Sequence, residues 1–335
     1  MQTERVERAT KASRIAAVAI VPFLAVLASL PWWGDSGDMR LVGEMAYYLA
    51  LAQLWNLLAG YAGLASVGQQ AYVGLGGYAF FYMTGVLNIN VYPAFILAGL
   101  FAGLMSIPVS FAVFRLRGAY FAIGTWVVSE VFALSASLIT VMGGGAGTSL
   151  TPAILREISA NRSSRETIIY FATLASSIIV CAVVYFLLRS RHGLALTAIR
   201  DSEPASASLG VNTFRTKLLI YVATAACTGL IGGLIFLQKL RISPEAGFSL
   251  NDWTVVVIFM VVIGGIGTIE GPFVGLIVYF VLREFLADYG SIYLIFMGAL
   301  AIGVMLLAPA GIWGFVLQRY GLQLFPIQRR LVVVS

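Results

Sequence analysis

Read only as apolar or polar, the chain resolves into about ten apolar runs of roughly 20 residues each, parted by short polar intervals. The first is Ile15–Trp33; the others cover 42–60, 64–87, 92–114, 118–140, 166–188, 217–239, 252–270, 271–288 and 291–309. A run of that length is what a helix needs to cross the hydrocarbon core. The pattern predicts an all-α polytopic membrane protein with about ten transmembrane helices (8–10) between residues 15 and 316. One interval breaks the rhythm: from Arg189 to Lys217 the chain is hydrophilic for longer than anywhere else.

Within that interval, Arg189 and Arg191 directly follow the run Ile168–Leu188, as basic residues do on the cytoplasmic side of a span. Gly193–Arg200 has helix-forming composition. Ser202-Glu203-Pro204 then interrupts it, because proline disfavours helical dihedrals in the residue before it and is tolerated only in a new helix's first turn. Ser202 is positioned to cap the second helix, Glu203 to complement its positive end, and Gly210 to occupy C′. Two short helices with a bend between them are expected outside the membrane; an ordinary surface loop fits the local pattern equally well.

Composition narrows the class. Of the 335 residues 60% are hydrophobic and 11% charged, and the mean hydropathy is +0.91. Soluble domains carry about 25% charged residues, so an ordinary globular core does not explain this chain. Cys181 and Cys227 both fall inside apolar runs, which indicates neither a disulfide framework nor a metal site, and His192 has no Cys or His near it. The formal charge of +6 is not arranged as a basic patch interleaved with aromatics, so nucleic acid is not the partner.

The charge follows topology instead. Arg5, Arg8, Lys11 and Arg14 precede the first run, no small-residue cleavage site follows it, and Trp32-Trp33 suit an interfacial anchor. Residues 1–14 are thus expected as a cytoplasmic N-terminal segment before a retained span. Alternation from there puts Arg115-Leu116-Arg117, the segment 189–217 and a tail over 317–335 on the same side. About two thirds of the 21 basic residues then lie inside.

Chemistry within the spans is sparse. The stretch Gly60–Ala79 is dense in small residues, which permit close helix packing or broken helices beside a cavity. Gly68, Gln69, Gln70, Tyr72 and Gly74 are candidates for a translocation path, with close packing as the competing account. Leu64-Ala65-Ser66-Val67-Gly68-Gln69 echoes a nucleotide-hydrolase signature, but the chain has no GxxxxGK[ST] to hold phosphates. Glu130 falls near the centre of its span, where an ionisable group is a functional candidate by default; a structural hydrogen bond to another helix is the alternative. Gly143, Gly144, Gly145 and Gly147 open the external segment 142–165, expected as a mobile outer loop near the external mouth or as a simple spacer. Gly229-Leu230-Ile231-Gly232-Gly233 suggests close packing. Gly265-Ile266-Gly267 is no dinucleotide fingerprint, because Glu270 stands at the third glycine position. Gly271-Pro272 suits a turn between spans.

The run Ala198–Asn212 resembles the coupling segment of ABC importer permeases, and more narrowly that of LivM-type branched-chain amino acid permeases. Glu203, Ala205, Ala207 and Gly210 match that pattern, whereas Pro204 and Ser206 depart from it. The glycine-rich block after Asn56-Leu57-Leu58, the turn Arg115–Thr125, the Gly143–Gly147 run, Ile242-Ser243-Pro244 and Ile263–Pro272 are similar to the same family, in order, over residues 42 to 315. The resemblance implies an ABC importer permease architecture with a cytoplasmic coupling helix, Ala198, Arg200, Asp201, Glu203, Ala205, Ala207, Leu209 and Gly210 being the residues that meet an ATPase. It implies a second permease of the LivH type, two ATPase subunits of the LivG/LivF type, an external solute-binding protein, and a bacterial inner-membrane location. ATP and magnesium would belong to the ATPases, leaving this chain without cofactor, metal or catalytic residues. Branched-chain or related amino acids are the expected cargo; urea, short amides or aromatic acids are carried by close relatives. An ion-coupled secondary transporter is the reading from another class, and it would need more midplane ionisable residues than Glu130. A membrane-embedded enzyme lacks a convincing catalytic cluster.

Overall fold

The computed structural model describes residues 3–7, 10–286, 292–327 and 330–334, and helices dominate throughout. In order they are α1 (Lys11–Ser29), α2 (Ser36–Asn56), α3 (Gln69–Gly85), α4 (Val91–Val113), α5 (Ala119–Ser137), α6 (Pro152–Ile158), α7 (Arg162–Arg189), α8 (Arg191–Asp201) and α9 (Glu203–Ser208). After these come α10 (Thr213–Lys239), α11 (Pro244–Gly247), α12 (Val256–Gly264), α13 (Gly271–Leu286), α14 (Ile292–Leu307) and α15 (Gly311–Tyr320). Widened π-turns extend α2 through Leu57–Tyr61 and lead into α12 over Leu250–Val255. Two small antiparallel ribbons, unforeseen in the hydropathy pattern, complete the chain. β1 (Thr3–Glu7) pairs with β4 (Arg330–Val334), so both ends of the chain meet, and β2 (Thr148–Ser149) pairs with β3 (Arg241–Ile242).

Among the described residues, seven helical stretches are long and apolar enough to cross a membrane: Ala12–Trp32, Val91–Val113, Ala119–Ser137, Arg162–Arg189, Thr213–Lys239, Pro244–Gly264 and Ile295–Tyr320. The three expected spans that fall short are α2, α3 and α13. Asp38, Arg40, Glu44, Gln53 and Asn56 make α2 too polar, α3 has only 17 residues, and the described residues cover 16 of α13, to Leu286. Residues 287, 288 and 291 of the last two expected spans, with Arg8 and Arg329, lie outside the described residues.

The core is organised on α10, which packs along α3 and α4. Gly76 faces Gly229, Gly232 lies against the Val73 carbonyl, and Gly103 meets Ala226. Small residues at these crossings let backbones approach, and dispersion between the helices replaces the hydrophobic effect that lipid cannot supply. Phe80, Ile231, Ile235, Phe236 and Trp253 are fully buried around this seam. At the opposite end of α10 from the 189–217 segment, Arg283 grips Glu44 with two hydrogen bonds of 2.8 and 3.1 Å, tying α13 to α2.

The expected span 64–87 is a broken one. After Tyr61 the chain turns back as irregular backbone to Gly68, and helix begins only at Gln69. Its side-chain amide donates to the Leu51 carbonyl at 2.9 Å. Leu51 lies ten residues before Tyr61 along α2 and its π-turn, about 15 Å of helix, so α3 starts near mid-depth. Irregular backbone at that depth requires partners from protein. Trp55 Nε1 donates to the Ser66 carbonyl at 2.7 Å, and the Thr125 hydroxyl accepts from Val67 N at 3.0 Å.

A second irregular stretch, 265–270, separates α12 from α13 and docks on the first. Asn56 accepts from Gly267 N and donates to the Thr268 carbonyl, both at 2.8 Å, and Gln53 donates to the Ile269 carbonyl at 2.8 Å. Gly60 is required there: any side chain would run into Asn56 Oδ1 and the Gly267 backbone. Glu270 closes the assembly by accepting from Leu324 N and Phe325 N at 3.0 and 2.9 Å.

Candidate functional site

The hydrophilic interval forms two short helices with a bend, the first of the two arrangements its local pattern allowed. Ser190 caps α8, its hydroxyl accepting from His192 N at 3.1 Å. The chain extends at Ser202, whose hydroxyl accepts from Ala205 N and caps α9. Gly210 follows with φ +85°, a conformation that a Cβ would strain and that ends the helix. Asn212 then caps α10 by accepting from Arg215 N at 3.0 Å.

One face of this pair is fastened to the bundle. Leu196, Ile199 and Ser206 are buried, and Lys217 Nζ sits 2.7 Å from Glu203 Oε1. Arg200 reaches inward, donating to the Gly60 carbonyl at 2.8 Å while Asp201 holds the same guanidinium at 2.9 Å. This helix pair, the handle of the bundle, therefore touches the π-turn just before the chain turns back. A cavity of about 310 Å³ lies beneath it, bounded by Gly63, by Arg117, Gly118 and Phe121 at the foot of α5, and by Arg200, Glu203 and Lys217. The opposite face is free: Leu194 is 69% and Leu209 84% exposed, beside exposed Pro204, Ala205 and Ala207, while Ala198 is half-buried. Leu194 and Leu209 are thus left uncovered by the rest of this chain.

The other candidates are placed differently. Gly68, Gln69, Gln70, Tyr72 and Gly74 do not border an open passage; all five are buried. Gly68 lies on the Thr125 carbonyl, Gln70 bonds Thr254 through both backbone and side chain, the Tyr72 hydroxyl donates to Tyr221 at 2.9 Å, and Gly74 lies on the Phe248 ring. Only a hollow of about 10 Å³, the size of one water, remains beside Gln69 and Tyr72. Glu130 points away from the bundle. It accepts from Trp126 Nε1 on its own helix at 3.0 Å, not from another helix. Gly143, Gly144, Gly145 and Gly147 lead into a ribbon: Arg241 donates to the Ala146 carbonyl at 3.1 Å, and β2 pairs with β3 immediately after. Among the described residues no three His, Cys, Asp or Glu side chains gather as metal ligands would.

Sequence reasoning passed over Gln53, Asn56 and Glu270, which lock the two irregular stretches together. Their signal was available: amide and carboxylate side chains inside apolar runs demand partners.

Comparison with known proteins bears on the same regions. A family described as "Branched-chain amino acid transport system / permease component" matches residues 40–308. The "High-affinity branched-chain amino acid transport system permease protein LivM" of Salmonella typhimurium is 26% identical over 315 residues, covering 88% of this chain and 74% of its own length, and the LivM of Escherichia coli aligns to the same extent. The LivH permease of Salmonella typhimurium is 29% identical over 160 residues, 47% of this chain and 49% of its own. No solved structure matches.

Proposed function

Because this chain belongs to the family of branched-chain amino acid transport system permease components, we propose that it is a membrane subunit of an ATP-driven, binding-protein-dependent importer of branched-chain or related amino acids in the bacterial inner membrane. Its partners would be a second permease of the LivH type, two ATPase subunits of the LivG/LivF type that bind ATP and magnesium, and an external solute-binding protein. The observation that carries this reading is the capped helix pair α8–α9. One face is pinned to the bundle through Glu203–Lys217 and Arg200–Gly60, and the other offers Leu194 and Leu209 to a soluble protein. A force applied there passes through Arg200 to the π-turn of α2 and through the shared cavity wall to the foot of α5. Closure of the ATPases would thus tilt the helices that flank the re-entrant stretch, alternating access between the two sides.

The test is co-purification with the ATPases encoded beside this chain, wild type against a deletion of residues 194–210. ATPases retained by the wild type and lost from a monodisperse deletion variant support the reading. A wild-type chain that retains no ATPase removes it.

A further inference from the structure

Helix α5 carries a carboxylate where a lipid-facing helix cannot keep one. Glu130 stands eleven residues after Ala119, about 17 Å along the axis, which is the middle of a hydrocarbon core about 30 Å thick. Its neighbours on the outward face are apolar and exposed: Ile123 54%, Val127 52%, Val131 54% and Leu134 67%. The outward faces of α4, α7 and α14 carry no ionisable residue at mid-span among the described residues. A carboxylate surrounded by acyl chains is expensive, and such groups face protein or a wet cavity. The indole of Trp126 gives it one hydrogen bond and leaves its charge without a counter-ion among the described residues.

Two further observations locate this face in the working cycle. At its foot, Arg117, Gly118 and Phe121 line the cavity under α8–α9, so the start of α5 faces the coupling segment across it. On its inner face, Thr125 holds Val67 and Gly68 at the start of α3. The helix that bears the outward carboxylate therefore borders the cavity under α8–α9 and holds the re-entrant stretch.

We propose that the outward face of α5 lines the translocation path and that Glu130 receives the ammonium group of the amino acid in transit, with Trp126 fixing the carboxylate. This rests on the importer reading above and sharpens it. A carboxylate at mid-path favours a substrate carrying a cationic amine over urea or a neutral amide. It is charge-assisted pairing, stronger than a hydrogen bond between neutral groups.

The experiment uses the complete transporter, with its binding protein, in liposomes. If the wild type shows no ATP-driven uptake of leucine or a related amino acid, the importer reading falls and this inference with it. With uptake established, Glu130→Gln, which preserves an acceptor for Trp126, is expected to lower leucine uptake about tenfold or more, and Glu130→Asp to recover part of it. Uptake at the wild-type rate in Glu130→Gln overturns the inference and leaves the importer reading standing. Loss of the second permease from an otherwise monodisperse Glu130→Gln complex would mean that a partner chain neutralises the carboxylate, and also overturns it. Val127→Cys gives an independent readout in a background with Cys181 and Cys227 replaced by serine. Modification by a charged, water-soluble methanethiosulfonate is expected. Reaction only with a lipid-soluble maleimide would mean that acyl chains cover this face, and the inference would be wrong.

Discussion

Helices α10 and α5 are both apolar enough to cross a bilayer, yet 61% of the apolar stretch of α10 is buried in the chain and only 22% of that of α5. The difference is written in their small and polar residues. Along α10, Gly229 and Gly232 meet Gly76 and Val73 backbone to backbone and the Ala226 methyl meets Gly103, so the helix is the mast on which α3 and α4 are hung. Along α5, one narrow face with Thr125 and Ser129 touches the bundle, and the rest offers large side chains with one carboxylate among them. Apolar character alone thus says that a helix enters the membrane, whereas residue size and charge say what it faces there.

Substitutions that break this contrast are expected to rank by burial. Gly232→Val drives a side chain into the Val73 carbonyl and should destabilise the bundle by about 3 kcal/mol, read as loss of a monodisperse peak in detergent; Val131→Leu on α5 should leave that peak unchanged. Equal loss in both variants would erase the distinction between mast and face. Asn56→Ala removes two hydrogen bonds to the 265–270 stretch and leaves the Gly267 amide and Thr268 carbonyl unpaired, a cost of about 2–3 kcal/mol that thermal unfolding should register. Glu203→Gln acts at the rim, on a half-exposed ion pair worth less than about 1 kcal/mol, so thermal stability should barely move. Its effect is expected instead in coupling, as reduced stimulation of ATP hydrolysis by loaded binding protein; unaltered stimulation would count against the handle.

The contrast also explains how far residues alone could be read. The helix pair α8–α9 was legible because capping is local: Ser202, Pro204 and Gly210 each act within a few residues. The long apolar runs were legible for the same reason, since hydropathy sums over neighbours. The features that escaped were non-local. That α3 starts at Gln69 and not at Leu64 depends on Trp55, Thr125 and Leu51 satisfying an irregular stretch, and the outward direction of Glu130 depends on which side of α5 packs against α3. The glycines from Gly143 to Gly147 announced an outer loop or spacer, but not the ribbon in which Thr148 and Ser149 pair with Ile242 and Arg241.

The short, glutamine-bearing α3 has a consequence for how the chain is made. A 17-residue segment that begins with two glutamines at mid-depth has little tendency to leave an insertion channel for lipid by itself. Its packing surface is α10, which emerges from the ribosome well over a hundred residues later. During that interval at synthesis rates of about 5–20 residues per second, α3 has no permanent neighbour on one side. Biogenesis of this protein is therefore expected to need the insertion machinery to shelter an early segment until a late one arrives, and a stalled or truncated nascent chain ending before Thr213 should be a preferred substrate of membrane proteases.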